Sequence, residues 1–171
     1  VIDDPATITA DNLTLLLRDI HCESVEINFS TPGKARELLA LLKSVMWARK
    51  TDTSKVKGSI AADPLGRLVA NGRLCVTVDE GLEYLSDLVR ESATLPGIRC
   101  VNPSGMLFSN AGAGPVTELA YILSLGNEYM ASLTARGIQP DMAASQIRFT
   151  FGIGPDFFPE IAKLRAARML W

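Results

Sequence analysis

Residues able to do chemistry are few in this chain. Four strand-like runs, Val25–Phe29, Val56–Ala62, Ile98–Val101 and Ile147–Ile153, each lead into a turn or loop. In an α/β chain, ligands bind at the carboxyl ends of the strands. Across the loops Ser30–Gly33, Asp63–Gly66, Val101–Gly114 and Gly152–Asp156, the only ionisable side chains are Asp63 and Asp156. Two carboxylates can serve as general acid and base. Here Asp63, standing before Pro64, reads as a turn former, and Asp156 reads as a helix cap. Ser104 and Ser109 have no base at motif spacing, and no Gly-x-Ser-x-Gly elbow occurs. Ala111-Gly112-Ala113-Gly114 precedes a helix and offers backbone N–H groups to a phosphate. It matches neither the dinucleotide fingerprint nor the Walker A pattern, and a tight turn that lets strand and helix pack closely explains the same residues.

Other reactive types stand alone. The single histidine, His21, falls in a helix-to-strand connection with no second ligand near it in sequence, so it reads as a surface residue rather than a base or metal ligand. Cys22, Cys75 and Cys100 are odd in number and widely spaced; they read as reduced thiols in a cytoplasmic chain. Lys163, Arg165 and Arg168 would suit an anion, but read more simply as a solvated flank beside an Ile161/Leu164 stripe.

The elements that must position these residues follow from periodicity. Thr9 caps a helix over Ala10–Ile20 with Leu13, Leu16, Leu17 and Ile20 at helical spacing. After Val25–Phe29 and the Ser30-Thr31-Pro32-Gly33 turn, Lys34–Arg49 is a helix burying Leu38, Leu41, Leu42, Val45 and Met46. Val56–Ala62 is stopped by Asp63-Pro64-Leu65-Gly66, since a residue before proline is pushed out of the helical region. Leu68–Leu74 has no clear assignment. Asp79 caps a helix to Ala93, with Leu82, Leu85, Leu88 and Val89 inward. Pro115–Ala135 is a helix with proline in its first turn and Gly137 as its stop; its stripe is Val116, Leu119, Ala120, Leu123, Met130 and Leu133, and Gly126 is a blemish of about 1 kcal/mol against alanine. Pro140–Ser145 is a helical turn, and Asp156–Trp171 a final helix that tolerates Pro159 in its first turn.

Strand-helix alternation with short connections predicts a parallel sheet with right-handed crossovers. The chain has 171 residues, and about 250 are needed for a closed eight-stranded barrel. It begins at Val1 rather than methionine and ends at Trp171 inside a helical pattern, so the expectation is a piece of a longer polypeptide. The choice is half of a (β/α)8 TIM barrel, about four consecutive βα units, or a small open sheet; the half barrel is the expectation. A net charge of −2 and a pI near 5.4 leave no basic face for nucleic acid. No 18-residue apolar run spans a membrane, and the start has no signal-peptide pattern.

Phe157-Phe158-Pro159-Glu160-Ile161-Ala162-Lys163-Leu164-Arg165-Ala166-Ala167-Arg168-Met169-Leu170-Trp171 resembles the signature helix of the cobalamin-dependent acyl-CoA mutases, methylmalonyl-CoA mutases above all. Gly58-Ser59-Ile60-Ala61-Ala62-Asp63 resembles that family's Gly-Thr-Ile-Gln-Asn-Asp strand end. Ser104-Gly105-Met106-Leu107-Phe108-Ser109-Asn110-Ala111-Gly112-Ala113 resembles its Ser-Gly-Tyr-His-x-x-Glu-Ala-Gly-Ala loop. The similarity is good from Val56 onward and loose before it. It implies a barrel substrate domain that threads an acyl-CoA through its centre beneath a separate cobalamin domain. Residues 1–171 would then be the C-terminal half of the barrel, with the remaining strands before Val1 and the cobalamin domain outside the chain.

The resemblance also implies what is missing. Met106 and Leu107 stand where catalytic members carry a tyrosine and a histidine; Ala61 stands where they carry a glutamine; and no arginine for the substrate carboxylate falls near Leu82–Glu83. Methionine and leucine cannot make the hydrogen bonds such a site uses. The cobalamin-binding Asp-x-His-x-x-Gly signature is absent. Asp63, Asn102, Ser104, Met106, Leu107 and Asn110 therefore read as a vestigial pocket loop, with no catalytic, cofactor-binding or metal residue.

The pattern resembles the small, non-catalytic subunit of heterodimeric members, which pairs with a catalytic large subunit in an adenosylcobalamin-dependent complex that interconverts methylmalonyl-CoA and succinyl-CoA. The rival reading is a divergent catalytic acyl-CoA mutase with an altered pocket. A third is an unrelated phosphate-binding domain using Gly112–Gly114. A partial barrel is expected to self-associate through strand edges and apolar helix faces, and an acyl-CoA is the small-molecule partner to test.

Overall fold

The computed structural model describes residues 8–30 and 33–171. Half of the expected Ser30–Gly33 turn is thus outside them: Thr31 and Pro32 are not described. The chain is mixed α/β and divides into two compact units, Val1–Ala62 with Tyr84–Val101, and Asp63–Glu83 with Asn102–Trp171.

The first unit holds a three-stranded parallel sheet in the order β1 (Ile27–Ser30), β2 (Gly58–Ala62), β3 (Ile98–Val101). Gly58 fixes the register of β1 against β2: it has φ +151°, and a Cβ there would lie 1.8 Å from the Ile27 carbonyl oxygen. Only glycine fits so close an approach. Between Ser59 and Ala62 the pairing of β2 with β3 shifts register.

α1 (Ala10–Leu16) is capped by Thr9, whose hydroxyl accepts from the Asn12 N–H. It is shorter than periodicity predicts, because Arg49 donates to the carbonyls of Leu17 and Ile20 and satisfies them outside the helix. Leu13 and Leu17 of this segment are buried, and Leu16 is exposed. α2 (Ala35–Ala48) buries Leu38, Leu39, Leu42, Val45 and Met46. Arg36 on α2 binds Glu91 and Asp87 of α4 (Val78–Glu91), and its side chain lies 5.8 Å from the Tyr84 ring centre. Hydrogen bonds from Arg36 hold the Glu91 carboxyl below its usual range. The start of α4 is a capping box rather than an Asp79 cap: the Thr77 hydroxyl accepts from the Glu80 N–H, and Glu80 accepts from the Thr77 N–H.

The second unit is helical among its described residues. Asp63-Pro64 begins a helix instead of only stopping a strand: α3 (Pro64–Asn71) has Pro64 in its first turn and Asp63 as N-cap. It takes in much of the unassigned connector. Short α5 (Met106–Asn110), long α6 (Pro115–Ala135), α7 (Pro140–Gln146) and α8 (Phe157–Leu170) follow. α6 has the predicted limits, but its buried line is Glu118, Leu119, Ile122, Gly126, Tyr129, Ser132 and Leu133, with Val116 and Ala120 exposed.

Two expectations fail in this unit. Among the described residues Ile147–Ile153 does not form a strand: it has isolated bridge positions at Ile147 and Thr150, and Thr150 pairs in parallel with Ser104 in the chain after β3. The ladder stops because α5 begins at Met106, and because the Gly152 N–H and C=O are taken by Glu118 and Lys163. The face of α8 is also inverted. Its buried residues are Lys163 and Ala167, while Phe157, Phe158, Ile161, Leu164, Met169 and Leu170 are exposed. Lys163 is therefore no solvated flank beside an Ile161/Leu164 core.

Candidate functional site

Asp63 is the hub of the expected pocket loop. Its Oδ1 accepts from the Gly66 N–H at 2.9 Å and from the Tyr129 hydroxyl at 2.5 Å, and its Oδ2 accepts from the Ser104 N–H at 3.1 Å. Tyr129, fully buried, in turn accepts from the Leu65 N–H at 2.9 Å. One carboxylate thus ties the start of α3, the loop after β3 and the middle of α6. Burial raises the Asp63 carboxyl above its usual value and outweighs the three donors that pull it down. Burial, with the Asp63 charge beside it, also pushes the Tyr129 hydroxyl up. All three donors to Asp63 come from within the fold, so the arrangement is a clamp.

Of the other expected pocket residues, Asn102 accepts from the Thr150 hydroxyl at 2.9 Å. Beside it, the Gly105 N–H reaches the Thr150 carbonyl at 2.7 Å, and the Thr150 N–H reaches that of Pro103 at 3.1 Å. Asn102, Ser104 and Asp63 are thus held in place by hydrogen bonds, Ser104 and Asp63 directly to one another. Met106, Leu107 and Asn110 lie on α5, with Met106 44% exposed and Asn110 exposed at the helix end. Phe108 of this helix stacks on Tyr121 of α6 at 4.8 Å. Val101–Gly114 is therefore a helical turn between two short links rather than an open loop.

The phosphate reading of Gly112–Gly114 loses two of its three donors. The Gly112 N–H bonds the Ser109 carbonyl at 3.0 Å, and the Ala113 N–H bonds that of Phe108 at 2.9 Å. Asp156 stands at the N-cap position of α8 without a side-chain capping bond. His21 is exposed in a turn. Cys22 and Cys100 are buried and Cys75 exposed, none of them in a disulfide among the described residues, and burial pushes the Cys100 thiol up to about 12. Among the described residues no group of three or more His, Cys, Asp or Glu could hold a metal ion, and no helix is long and apolar enough to cross a membrane.

The unexpected feature is a charge cluster. The Lys163 ammonium, 1% exposed, lies 2.7 Å from Glu118 and 2.5 Å from Glu160, and donates to the Gly152 carbonyl at 2.6 Å. Glu118, equally buried, also accepts from the Gly152 N–H at 2.7 Å. Burial opposes the ammonium, but the hydrogen bonds to Glu118 and Glu160 prevail and hold Lys163 above its usual value. The hydrogen bond from Lys163 holds Glu160 below its own. A Cβ on Gly105 would lie 2.4 Å from Glu118 Oε1, so the pocket loop closes over this cluster. Sequence reading missed Glu118 and Tyr129. The available signal was that both share the helical spacing of Ile122 and Leu133, which places them on the buried side of α6.

Near the expected place of a substrate-carboxylate arginine, Arg136 reaches Glu83 at 2.9 Å and is held there by Asp79, Glu83 and Ser132.

The family model for methylmalonyl-CoA mutase matches residues 6–171. The chain belongs to the methylmalonyl-CoA mutase family. It is 36% identical over 165 residues to the methylmalonyl-CoA mutase small subunit of Porphyromonas gingivalis, covering 96% of this chain and 26% of that protein. It is 30% identical to a methylmalonyl-CoA mutase of Cereibacter sphaeroides, over 94% of this chain and 23% of the relative. Against the methylmalonyl-CoA mutase large subunit of Propionibacterium freudenreichii subsp. shermanii, identity is 29% over 91% of this chain and 22% of the relative. The chain spans about a quarter of the length of these curated relatives. Within the mutase family, the described residues do not fit a corrin site: the chain's one histidine lies in an exposed turn, and Met106 and Leu107 carry no strong donor or acceptor.

Proposed function

We propose that this chain is part of a non-catalytic small subunit of a methylmalonyl-CoA mutase, a structural partner of a catalytic large subunit. On this reading, residues 1–171 form the C-terminal half of a (β/α)8 barrel of the acyl-CoA-binding type, with the other strands and the cobalamin domain elsewhere in the protein. The complete heterodimer, in the cytoplasm, interconverts methylmalonyl-CoA and succinyl-CoA with adenosylcobalamin held outside this chain. The observation that carries the reading is the α5 turn. Asp63, Asn102 and Ser104 are held by hydrogen bonds, while Met106 and Leu107 offer nothing to polarise or orient a thioester. Asp63, Asn102, Ser104, Met106, Leu107 and Asn110 are accordingly a vestigial pocket loop. The small-subunit name of a relative at 36% identity supports the same assignment.

The test is co-expression of the full-length protein with a large subunit encoded beside it, followed by size exclusion and a mutase assay with methylmalonyl-CoA. Co-elution, with turnover only when the large subunit is present, is expected. Turnover of any acyl-CoA by the full-length protein alone would establish the rival, a divergent catalytic mutase with an altered pocket.

A further inference from the structure

We propose that a groove beside the C-terminal end of α2 binds a nucleotide, with its base on Trp47 and its phosphates at Lys43 and Lys50. The groove encloses about 680 Å³ and is lined by Lys43, Trp47, Lys50, Thr51, Thr94 and the buried Leu95, among others. Trp47 is 84% exposed and has no ring partner among the described residues. An open indole face is a stacking platform for any planar base. Lys43 precedes Trp47 by four residues, so both project from one side of α2.

The charge balance favours an anion. Neither Lys43 nor Lys50 forms an ion pair with a carboxylate among the described residues. Two neighbouring carboxylates have other partners at shorter range: Asp52 is bound by Ser54 and Lys55, and Glu91 is bound by Arg36 while also feeling the Lys43 charge. Lys43 spends one ammonium hydrogen on the Glu91 carbonyl and keeps two.

The end of α2 also places a lysine against its conformational preference. Thr51 N–H bonds the Met46 carbonyl and Lys50 N–H that of Trp47, the paired bonds of a Schellman ending. The residue between them is ordinarily glycine, yet Lys50 occupies it at φ +54°. A cation at a helix C-terminus gains something from the dipole, but that gain explains neither the bare tryptophan beside it nor the three threonines, Thr51, Thr53 and Thr94, that line the groove. This inference does not depend on the mutase reading.

The chain contains two tryptophans, so the full ¹⁵N-labelled chain gives two indole N–H signals, which Trp47→Phe assigns. Titration with ADP should move the Trp47 signal saturably and leave that of Trp171 in place. Lys50→Asn, which tolerates the left-handed backbone, should weaken ADP binding about tenfold or more, the value of a lost charged hydrogen bond. A parallel titration with coenzyme A separates the sources: ADP alone indicates a free nucleotide, and tighter binding of coenzyme A indicates the nucleotide end of a thioester. A Trp47 signal unmoved by millimolar ADP and coenzyme A, or binding that Lys50→Asn leaves unchanged, would overturn the proposal.

Discussion

Replacing Lys163 by methionine removes the ammonium held between Glu118 and Glu160 while keeping most of the side-chain volume. Both Lys163 and Glu118 side chains are 1% exposed, so water cannot take the place of the lost partner. Breaking a buried ion pair from one side ordinarily costs about 3–5 kcal/mol. Glu118 keeps its bond from the Gly152 N–H, which puts the expected loss near the low end, about 3 kcal/mol. With a urea m-value of about 2 kcal/mol/M for a chain of this size, the midpoint should fall by about 1.5 M. Fluorescence of Trp171 in a Trp47→Phe background reports the right region, because Trp171 packs edge-on against Phe149 in the same unit. Adding Glu118→Gln should recover at least half of the loss, since the amide keeps an acceptor for Gly152 and the fully buried charge is gone, while Glu160, 14% exposed, keeps its bond from the Gly154 N–H. The pH dependence has a definite sign. Lys163 is held above its usual value, so its contribution is full below the ordinary lysine pKa and is lost as pH rises through the folded one; Glu160 is held below its usual value, so its contribution is lost as pH falls. A midpoint shift under about 0.5 M for Lys163→Met, or a further loss on adding Glu118→Gln, would refute the reasoning.

Gly126→Ala should destabilise despite better helix propensity: its Cβ would lie 2.7 Å from the Phe149 ring and 3.1 Å from that of Trp171, and overpacking of about 1–3 kcal/mol exceeds the gain of about 1 kcal/mol. Thermal melts decide the sign. Tyr129→Phe orphans the Leu65 N–H and removes a donor from Asp63, a loss of about 1–3 kcal/mol. Because Asp63 is already held above its usual value, its proton stabilises the fold at low pH, and Tyr129→Phe should steepen the loss of stability as pH rises through the folded value; melts across acid pH test this. Met106→Tyr with Leu107→His in the full-length protein should restore no isomerase activity, since Ala61 and the missing arginine remain; measurable turnover without the large subunit would contradict this. The exposed Phe157, Phe158, Met169 and Leu170 of α8 should make the isolated chain self-associate, so a clean monomer by light scattering at high concentration would count against that surface being sticky.

Where local chemistry and tertiary packing agree, periodicity located the elements closely. β3 is Ile98–Val101 and α6 is Pro115–Ala135, the second bounded by a proline that needs no N–H and a glycine beyond the end. Asp63-Pro64 was ambiguous because the same dipeptide ends a strand and begins a helix, and the choice depends on Tyr129 and Ser104, 66 and 41 residues away. The face of α8 was illegible because hydropathy assigns lysine to solvent, and only Glu118 and Glu160 make its burial tolerable. The fourth strand failed for a related reason: Gly152 gives its backbone groups to the side chains of Glu118 and Lys163, 34 and 11 residues away, and strand periodicity carries no sign of either bond. The expected pocket-loop residues, Asp63 among them, were named by resemblance; that the Asp63 carboxylate ties α3, the loop after β3 and α6 together was hidden, because locally it reads as a turn former.

The alternation of the two units along the chain constrains how the protein can be made. The chain passes between them three times, after Ala62, Glu83 and Val101. A ribosome that has released the chain as far as Glu83 has therefore finished neither: the first still lacks β3, and the second still lacks α5 to α8. Vectorial, unit-by-unit folding is closed to this sequence. The early sheet must wait with β2 as an open edge until β3 arrives, which makes that interval the point at which a chaperone, or a partner strand, can act.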